Sequence, residues 1–595
     1  MAVLAVVYGW NLRMGWFEAS GEVRFRWDIQ NAMNQANATL QSGGLKRTPG
    51  ERPPLVETLQ AWVARYDKVY EQAGGSGRYS LDYTPLRLLV MTLWMRELWA
   101  GEGGVRNYDD AMAWPLMRLN ALCGLMTAAG VFLLVRHWLR RAAVANAPPS
   151  GRFGAAWAEH RPWVLGLMSA LLVWLNLTLL LNAHVFPQWD VWLLPFFVFG
   201  VYAASLGGNG WVVCGGLLAV GAMLKGQVLL AAPVLVVWAA ASDARGVNLL
   251  RLAAGLGAGA ALVTWPWLLR TNSAAVWGGA MAGTALLLAG ASWGLSRWHA
   301  FRETATRVSD GRRTRLLLGM GGGAVAAAVT SFPLWTVAWT WAALAAAVGA
   351  LAGWAVARWP RRALPGALAG AVALAVFAGA WRYGGSWSWY EVGFRFPTDN
   401  YQALAMGTTA NLPAILQHHY GWKLKDEVTV LGTPMTWQAL LRWVYAVMVL
   451  PVGLMAAWYA RRNDPRLLLC VAAPWVLMFA VLPQMHERYL VWGAVLTALG
   501  VAAVSGVMGR VGMLGLHLLT TAAGAACVGI LILRQGKDWW PEMERALNPA
   551  IPAVGWGVVL LGLIYWFLCL QGPRPAMGRV AGESSEGHGG GPRAF

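Results

Sequence analysis

The sequence predicts an all-α polytopic membrane protein, and three observations predict it. Of its 595 residues, 57% are hydrophobic. Charged residues make up 13%, about half the roughly 25% of soluble domains. The apolar residues also fall in long runs, near the roughly 20 residues that a membrane-spanning helix needs. This composition excludes a soluble globular enzyme, a disordered chain and a coiled coil. The length alone would suit several soluble domains, but the hydropathy makes the chain one membrane unit.

The runs are read at 116–135, 163–182, 190–207, 210–224, 226–241, 249–269, 275–296, 314–332, 334–357, 364–381, 436–459, 467–483, 489–508, 511–533 and 552–571. Before them, Met1–Trp10 is half a span. Either the start lies upstream, or the helix is completed through Phe17 and tolerates Asn11 and Arg13. No cleavable signal with a basic leading segment is present. The expected organisation is a first transmembrane helix over 1–17, an extracytoplasmic loop over 18–115, a transmembrane core over 116–381, a second extracytoplasmic loop over 382–435, C-terminal helices over 436–571 and a disordered Gly-, Ser- and Arg-rich tail over 572–595. No internal repeat of the kind many transporters carry is found.

Charge fixes the sidedness. Lys and Arg number 47 against 28 Asp and Glu, a net charge of +19. The arginines sit in short gaps between runs: Arg136, Arg140, Arg141, Arg152 and Arg161 in one, Arg297, Arg302, Arg307, Arg312, Arg313 and Arg315 in the next, then Arg358, Arg361 and Arg362, then Arg461, Arg462 and Arg466. That distribution follows the positive-inside rule rather than the single basic face of a nucleic-acid binder, so no nucleic-acid partner is expected. Thr84–Ala100 is apolar but carries Arg87, Arg96 and Glu97; laid in the interface as an amphipathic helix, it leaves all four arginine gaps cytoplasmic. Leu55, Leu59, Trp62, Val63, Tyr66, Val69 and Tyr70 recur at helical spacing and predict a second interfacial helix. The five cysteines lie inside apolar runs without metal spacing, so neither disulfides nor zinc are expected. The 38 tryptophans cluster near run ends as interfacial anchors would.

Unusual polar groups collect on the side opposite the arginines. They are Asp28, Asp82, the segment His184-Val185-Phe186-Pro187-Gln188-Trp189-Asp190, the isolated Lys225, and Pro483-Gln484-Met485-His486-Glu487-Arg488-Tyr489. Ionisable groups at membrane depth are costly and mark functional sites. Each also has a plainer role available: Asp28 and Asp190 suit helix caps, Asp82-Tyr83-Thr84-Pro85 suits a turn before a helix, Lys225 can snorkel, and His486-Glu487-Arg488 can be a solvated ion pair. A capping Asp can be catalytic as well. Two acids and several cations at a lipid–water boundary suit transfer from an anionic lipid. A phosphate leaving group needs positive charge, which Arg488, His486, Lys225 and Arg118 could supply. An acceptor hydroxyl needs a carboxylate base, which Asp28 or Asp82 could be, and a carboxylate also stabilises an oxocarbenium-like sugar centre.

These residues carry a resemblance. The chain resembles the GT-C glycosyltransferases that use polyprenyl-phosphate sugars, in particular the dolichyl-phosphate-glucose glucosyltransferases of N-glycan assembly and the bacterial mannosyltransferases similar to the second mannosyltransferase of GPI assembly. Asp28 matches the family's catalytic Asp in the first outer loop, with Glu22, after Gly21, as a competing match. Asp82-Tyr83-Thr84-Pro85-Leu86 looks like its Asp-Tyr-Pro-Pro-Leu motif, Thr84 departing. Pro187-Gln188-Trp189-Asp190 looks like its Gly-Gln-x-Asp turn, Lys225-Gly226-Gln227 like its Lys-x-Gln, Ala410-Asn411-Leu412-Pro413 like its Ala-Asn-Leu-Trp, and His486-Glu487-Arg488 like its closing His-Glu-Arg. All six occur in the family's order over roughly residues 20–500, and the helices beyond 511 lie outside the likeness.

The resemblance implies a GT-C-like bundle of about 14–16 transmembrane helices with interfacial helices in the first outer loop. It implies an inverting hexosyltransferase, acting extracytoplasmically on a polyprenyl-phosphate-linked sugar and a lipid, glycan or protein acceptor. Asp28, Asp82 and Glu22 are the implied catalytic candidates. Arg488, His486, Lys225 and Arg118 are those for the donor phosphate, and Gln188, Asp190, Asn411, His184 and Glu487 those for sugar or acceptor. No cofactor is implied; other branches of the family use a divalent metal. The plasma or inner membrane of a bacterium is the expected location. A lipid-linked glycan transporter or flippase, and a lipid-to-polymer ligase, are the competing readings.

Overall fold

The computed structural model describes residues 2–20, 26–46, 48, 50–73, 79–101, 112–145, 152–242, 246–268, 386–399, 403–407, 409–533, 542, 545 and 548–572. The runs read at 275–296, 314–332, 334–357 and 364–381 and nearly all of the tail lie outside them. The described residues are 81% helical. Among the described residues, seven helices are long and apolar enough to cross a membrane, the mark of a membrane protein.

Helix α1 (Ala2–Ser20) runs through Asn11 and Arg13 without a break and is not among those seven. The sequence reading ended it at residue 17. Arg13 is fully buried because it satisfies backbone: it donates to Gly9 O at 2.9 Å and Trp174 O at 2.6 Å, and lies 3.4 Å from the Trp174 ring centroid. Three helices then form the first loop, α2 (Arg26–Ser42), α3 (Leu55–Gln72) and α4 (Pro85–Trp99). In α4 the residues Leu88, Met91, Thr92, Met95 and Trp99 recur at three or four and are buried. In α3 the buried stripe is Thr58, Ala61, Trp62, Arg65, Tyr66 and Val69. The apolar face read from sequence is thus rotated, and Leu55 and Tyr70 are exposed. The rotation follows from two polar tips: Trp62 Nε1 donates to Pro85 O at 2.9 Å and the Tyr66 hydroxyl to Tyr83 O at 2.6 Å, which points both rings at the segment entering α4.

The bundle continues with α5 (Trp114–Ala145), α6 (Arg152–Trp174), the single turn α7 (Leu177–Leu180), α8 (Leu193–Leu206), α9 (Gly210–Leu224), α10 (Val228–Ser242) and α11 (Val247–Leu268). A π-turn, Leu181–Val185, and a 3-10 turn, Trp189–Trp192, lead into α8. Helix α5 packs on α6 and α8, and α9 on α8 and α11. The α9–α11 crossing is glycine-dependent: a Cβ at Gly215 would collide with Leu252 O, and one at Gly255 with Val212 O. Small residues let the two backbones touch, as is common between membrane helices.

Past residue 386 come α12 (Leu412–Tyr420), α13 (Trp437–Arg461), α14 (Leu467–Val481), α15 (Leu490–Leu496), α16 (Ala498–Ala503), α17 (Val507–Leu533) and α18 (Ile551–Leu570). Every residue of α14 is buried, as a helix apolar on all sides should be at the centre of a bundle. The run read as one span over 489–508 breaks at Thr497 into α15 and α16, where Thr497 Oγ1 meets His517 Nδ1 at 2.9 Å.

The segment read as the second outer loop corrects the all-α expectation. Strands β1 (Glu427–Val430) and β2 (Thr433–Thr436) pair antiparallel with Val430 opposite Thr433, around Leu431 and Gly432 at positive φ. The signal was available: a short Val/Thr alternation closed by a two-residue turn containing Gly. Six of the tryptophans are core residues instead of interfacial anchors. Trp138, Trp192, Trp211, Trp267, Trp475 and Trp492 are fully buried, and three of their indoles reach polar partners in the core: Trp138 donates to Ser205 Oγ, Trp192 to Asn120 Oδ1 and Trp492 to Asp190 O. All five cysteines are buried free thiols.

Candidate functional site

Four charged residues from separate parts of the chain meet at one end of the helices. Asp190 lies in the 3-10 turn before α8 and Lys225 between α9 and α10. Arg488 lies in the turn between α14 and α15, and Asp28 in the first turn of α2. Lys225 Nζ is ion-paired with Asp190 Oδ1. Arg488 Nε is 3.3 Å from Asp190 Oδ2 and its NH1 3.2 Å from Asp28 Oδ2. Asn182 Nδ2 donates to Asp190 Oδ2 at 3.1 Å. Asp190 is fully buried, whereas the Asp28 side chain keeps 23% exposure. The charges thus link in the order Lys225, Asp190, Arg488, Asp28, and exposure rises from Asp190 through Arg488 to Asp28.

Local structure explains the positions. A π-turn widens the backbone over Leu181–Val185 and brings Asn182 beside Asp190. Helix α9 ends at Lys225 in an extended conformation, which frees its side chain to turn inward over the Tyr489 ring, 4.6 Å from the centroid. Tyr489 and Trp492 stack at 4.7 Å, and Trp492 also holds the Asp190 carbonyl at 2.7 Å. Burial works against the charge on Arg488, but Asp190 and Asp28 outweigh it and raise its pKa above the ordinary guanidinium value.

Beside Arg488, Glu487 is buried and takes a 3.1 Å contact from His486 Nδ1. Burial opposes its charge, yet the His486 hydrogen bond and charge hold its carboxyl below the ordinary value. Gly407, at φ +58°, lies directly against this carboxylate; a Cβ there would stand 2.7 Å from Glu487 Oε1.

The remaining predicted residues divide. Asp82 is half-buried and acts electrostatically on Tyr66 and Tyr83 without an ion pair among the described residues. His184 and Gln188 are buried, and their ring nitrogens and amide atoms have no hydrogen-bond partner among the described residues. Orphaned polar atoms of this kind call for water or a ligand. Asn411 serves the fold, since its Oδ1 caps α12 on Ala414 N and its Nδ2 donates to Phe479 O, both at 3.0 Å. Arg118 is exposed on α5, 5.9 Å from the Trp114 ring, and makes none of the cluster's contacts. Glu22 lies outside the described residues.

Sequence reasoning did not single out Asn182, Tyr83, Arg87 or Trp189 as site residues. Arg87 lies 3.9 Å from the Tyr83 ring centroid and 4.0 Å from that of Trp189. Asn182 and Arg87 each interrupt an apolar run, and that interruption was the available signal. Among the described residues no group of three His, Cys, Asp or Glu side chains could hold a metal ion.

Comparison of the chain with protein-family profiles, with curated proteins and with solved structures gave no match.

Proposed function

We propose that this chain is a membrane glycosyltransferase that moves a hexose from a polyprenyl-phosphate donor to a hydroxyl acceptor, with inversion, on the extracytoplasmic face of a bacterial plasma or inner membrane. The observation that supports this best is the convergence of Asp28, Asp190, Lys225 and Arg488, four motif residues scattered over more than four hundred positions. In this reading Asp28 is the base. Its Oδ2 is held by Arg488, and its Oδ1 has no partner among the described residues. Asp28 takes the proton of the acceptor hydroxyl, and the acceptor oxygen attacks the anomeric carbon from the face opposite the phosphate. The bond between that carbon and the phosphate oxygen breaks with its electron pair on oxygen, so polyprenyl phosphate departs. Cations beside the developing phosphate charge lower the barrier. Buried Asp190 fixes Lys225 and Arg488 in place, while Gln188 and His184 offer unpartnered polar atoms to sugar or acceptor hydroxyls.

The test uses the full chain in nanodiscs with a panel of radiolabelled polyprenyl-phosphate sugars and an extract of native lipids and glycans. Release of polyprenyl phosphate by the wild type, abolished in Asp28→Asn, is the expected result. Single-turnover rates of Asp28→Asn equal to wild type would remove the base assignment. No turnover with any donor would shift the reading to transport, which a liposome flipping assay reads directly.

A further inference from the structure

Not every charge at the site is paired: among the described residues Arg87 and Asp82 make no ion pair, and Arg87 is the cation of the two. Lys225 and Arg488 are matched by Asp190 and Asp28, and His486 faces Glu487. Arg87 has no carboxylate within ion-pair distance among the described residues, although it and Asp82 act on the same two tyrosines. Its guanidinium instead lies in the corner formed by Tyr83 and Trp189, whose rings meet edge to face at 6.1 Å. Aromatic faces hold a guanidinium in position without neutralising it. The buried Nε finds no acceptor.

Both rings belong to the site. Trp189 immediately precedes Asp190, and Tyr83 follows Asp82 and receives Asn31 Nδ2 from α2 at 3.4 Å. Arg87 stands in the first turn of α4, next to Lys225, because the Thr84 hydroxyl donates to Leu224 O at 2.8 Å. With its hydroxyl so engaged, Thr84 does not cap α4, and no side chain caps that terminus.

Resting on the transferase reading, we infer that the N–H edge of Arg87 binds the phosphate of the lipid donor, a diester, and of the departing polyprenyl phosphate, a monoester, in place of exposed Arg118. A fixed planar fork matches phosphate oxygens two at a time. Lys225 and Arg488 are each already paired with a carboxylate, and Arg87 adds a positive charge that no ion pair engages among the described residues.

The experiment measures equilibrium binding of two probes, a short-chain isoprenyl monophosphate and inorganic phosphate, to the full chain in nanodiscs. Wild type, Arg87→Gln, Arg87→Lys and Arg442→Gln are compared, the last an exposed cation near the start of α13. The expected result is isoprenyl phosphate binding that weakens about 10- to 100-fold in Arg87→Gln and is unchanged in Arg442→Gln. Wild-type affinity in Arg87→Gln overturns the inference while leaving the transferase reading intact. Should that variant fail to fold, Arg87→Lys decides: lysine keeps the charge but not the fork, and wild-type affinity there overturns it too. Equal affinity for both probes, lost together in Arg87→Gln, supports the anion site and assigns it to the phosphate group rather than the lipid. Binding through Arg87 with no sugar transfer from any donor supports the inference and sinks the transferase. No binding of either probe to the wild type overturns both.

Discussion

The two ends of the helices use the same residue type for opposite purposes. At one end, Arg488 is matched by the carboxylates of Asp190 and Asp28. At the other, arginines bond helix C-terminal carbonyls. Arg141 donates to Ser205 O at 3.0 Å at the end of α8, Arg461 to Ala241 O at the end of α10, and Arg466 to Gln571 O and Gly572 O at 3.1 Å beyond α18. The two described arginine gaps meet there, where Arg141 also donates to Asn463 Oδ1 at 2.9 Å. Helices α8, α9 and α10 each connect the two ends, a separation of about 22 Å for 15 residues. A cation at a helix C-terminus completes carbonyls and complements the dipole; this is an anchoring role that water can largely replace. A cation between buried carboxylates has no such substitute, so removing one member leaves uncompensated charge. Arginine is therefore structural at one end and a candidate for chemistry at the other because of what surrounds it.

The sharpest way to break this contrast is Asp28→Asn. If the end that carries Asp28 performs transfer, the single-turnover rate should fall about 10²- to 10⁴-fold, the range for loss of a general base, with little change in thermal unfolding because Asp28 is partly exposed. Asp190→Asn should cost about 3–5 kcal/mol in denaturant unfolding, since Lys225 and Arg488 lose their shared partner. The double variant Asp190→Asn, Lys225→Met should recover part of that loss, and a double as unstable as the single would mean that Lys225 is not held by Asp190.

Between the ends, Gly255→Val drives a side chain into Val212 O. It should destabilise by about 1–3 kcal/mol or more and lower the yield of monodisperse protein, whichever end is active. Arg461→Gln should cost only about 0.5–1.5 kcal/mol and leave transfer untouched; a loss of activity there would erase the distinction between the ends.

The smallest effect concerns pH. Glu487 is held below its ordinary pKa, so its contribution is complete above about pH 4.3, the unfolded value, and is lost as pH falls through the lower folded value. Glu487→Gln should flatten the acid limb of the stability profile and leave the neutral region's slope unchanged; an unaltered acid limb would show that the His486 pairing does not stabilise the fold.

Much of this was legible before folding. Apolar run length gave most helices from 193 to 268 and from 437 to 570 to within a few residues, but missed the C-terminal extension of α5, the early start of α6 and the break at Thr497; the match follows because backbone in hydrocarbon must satisfy itself and helices do so locally. The isolation of Lys225 between apolar runs, and the charged residues Asp28, Asp190 and Arg488 close to other run ends, marked them as candidates, since an ionisable group at membrane depth is costly. Which charge pairs with which was not legible. It depends on the π-turn that brings Asn182 to Asp190, on Trp492 holding the Asp190 carbonyl, and on Thr84 tying α4 beside Lys225. Asn411 shows the converse: its motif was conspicuous, and only the fold reveals that both ends of its side chain satisfy backbone. By itself the sequence determined that this is a membrane-embedded helical chain with polar groups it would not bury without reason. Tertiary structure decided that Arg118 stands apart, that Arg87 joins the site without an ion pair among the described residues, and that the indoles of Trp138, Trp192 and Trp492 bond within the core. Contacts between segments hundreds of residues apart follow from packing, which no local pattern encodes.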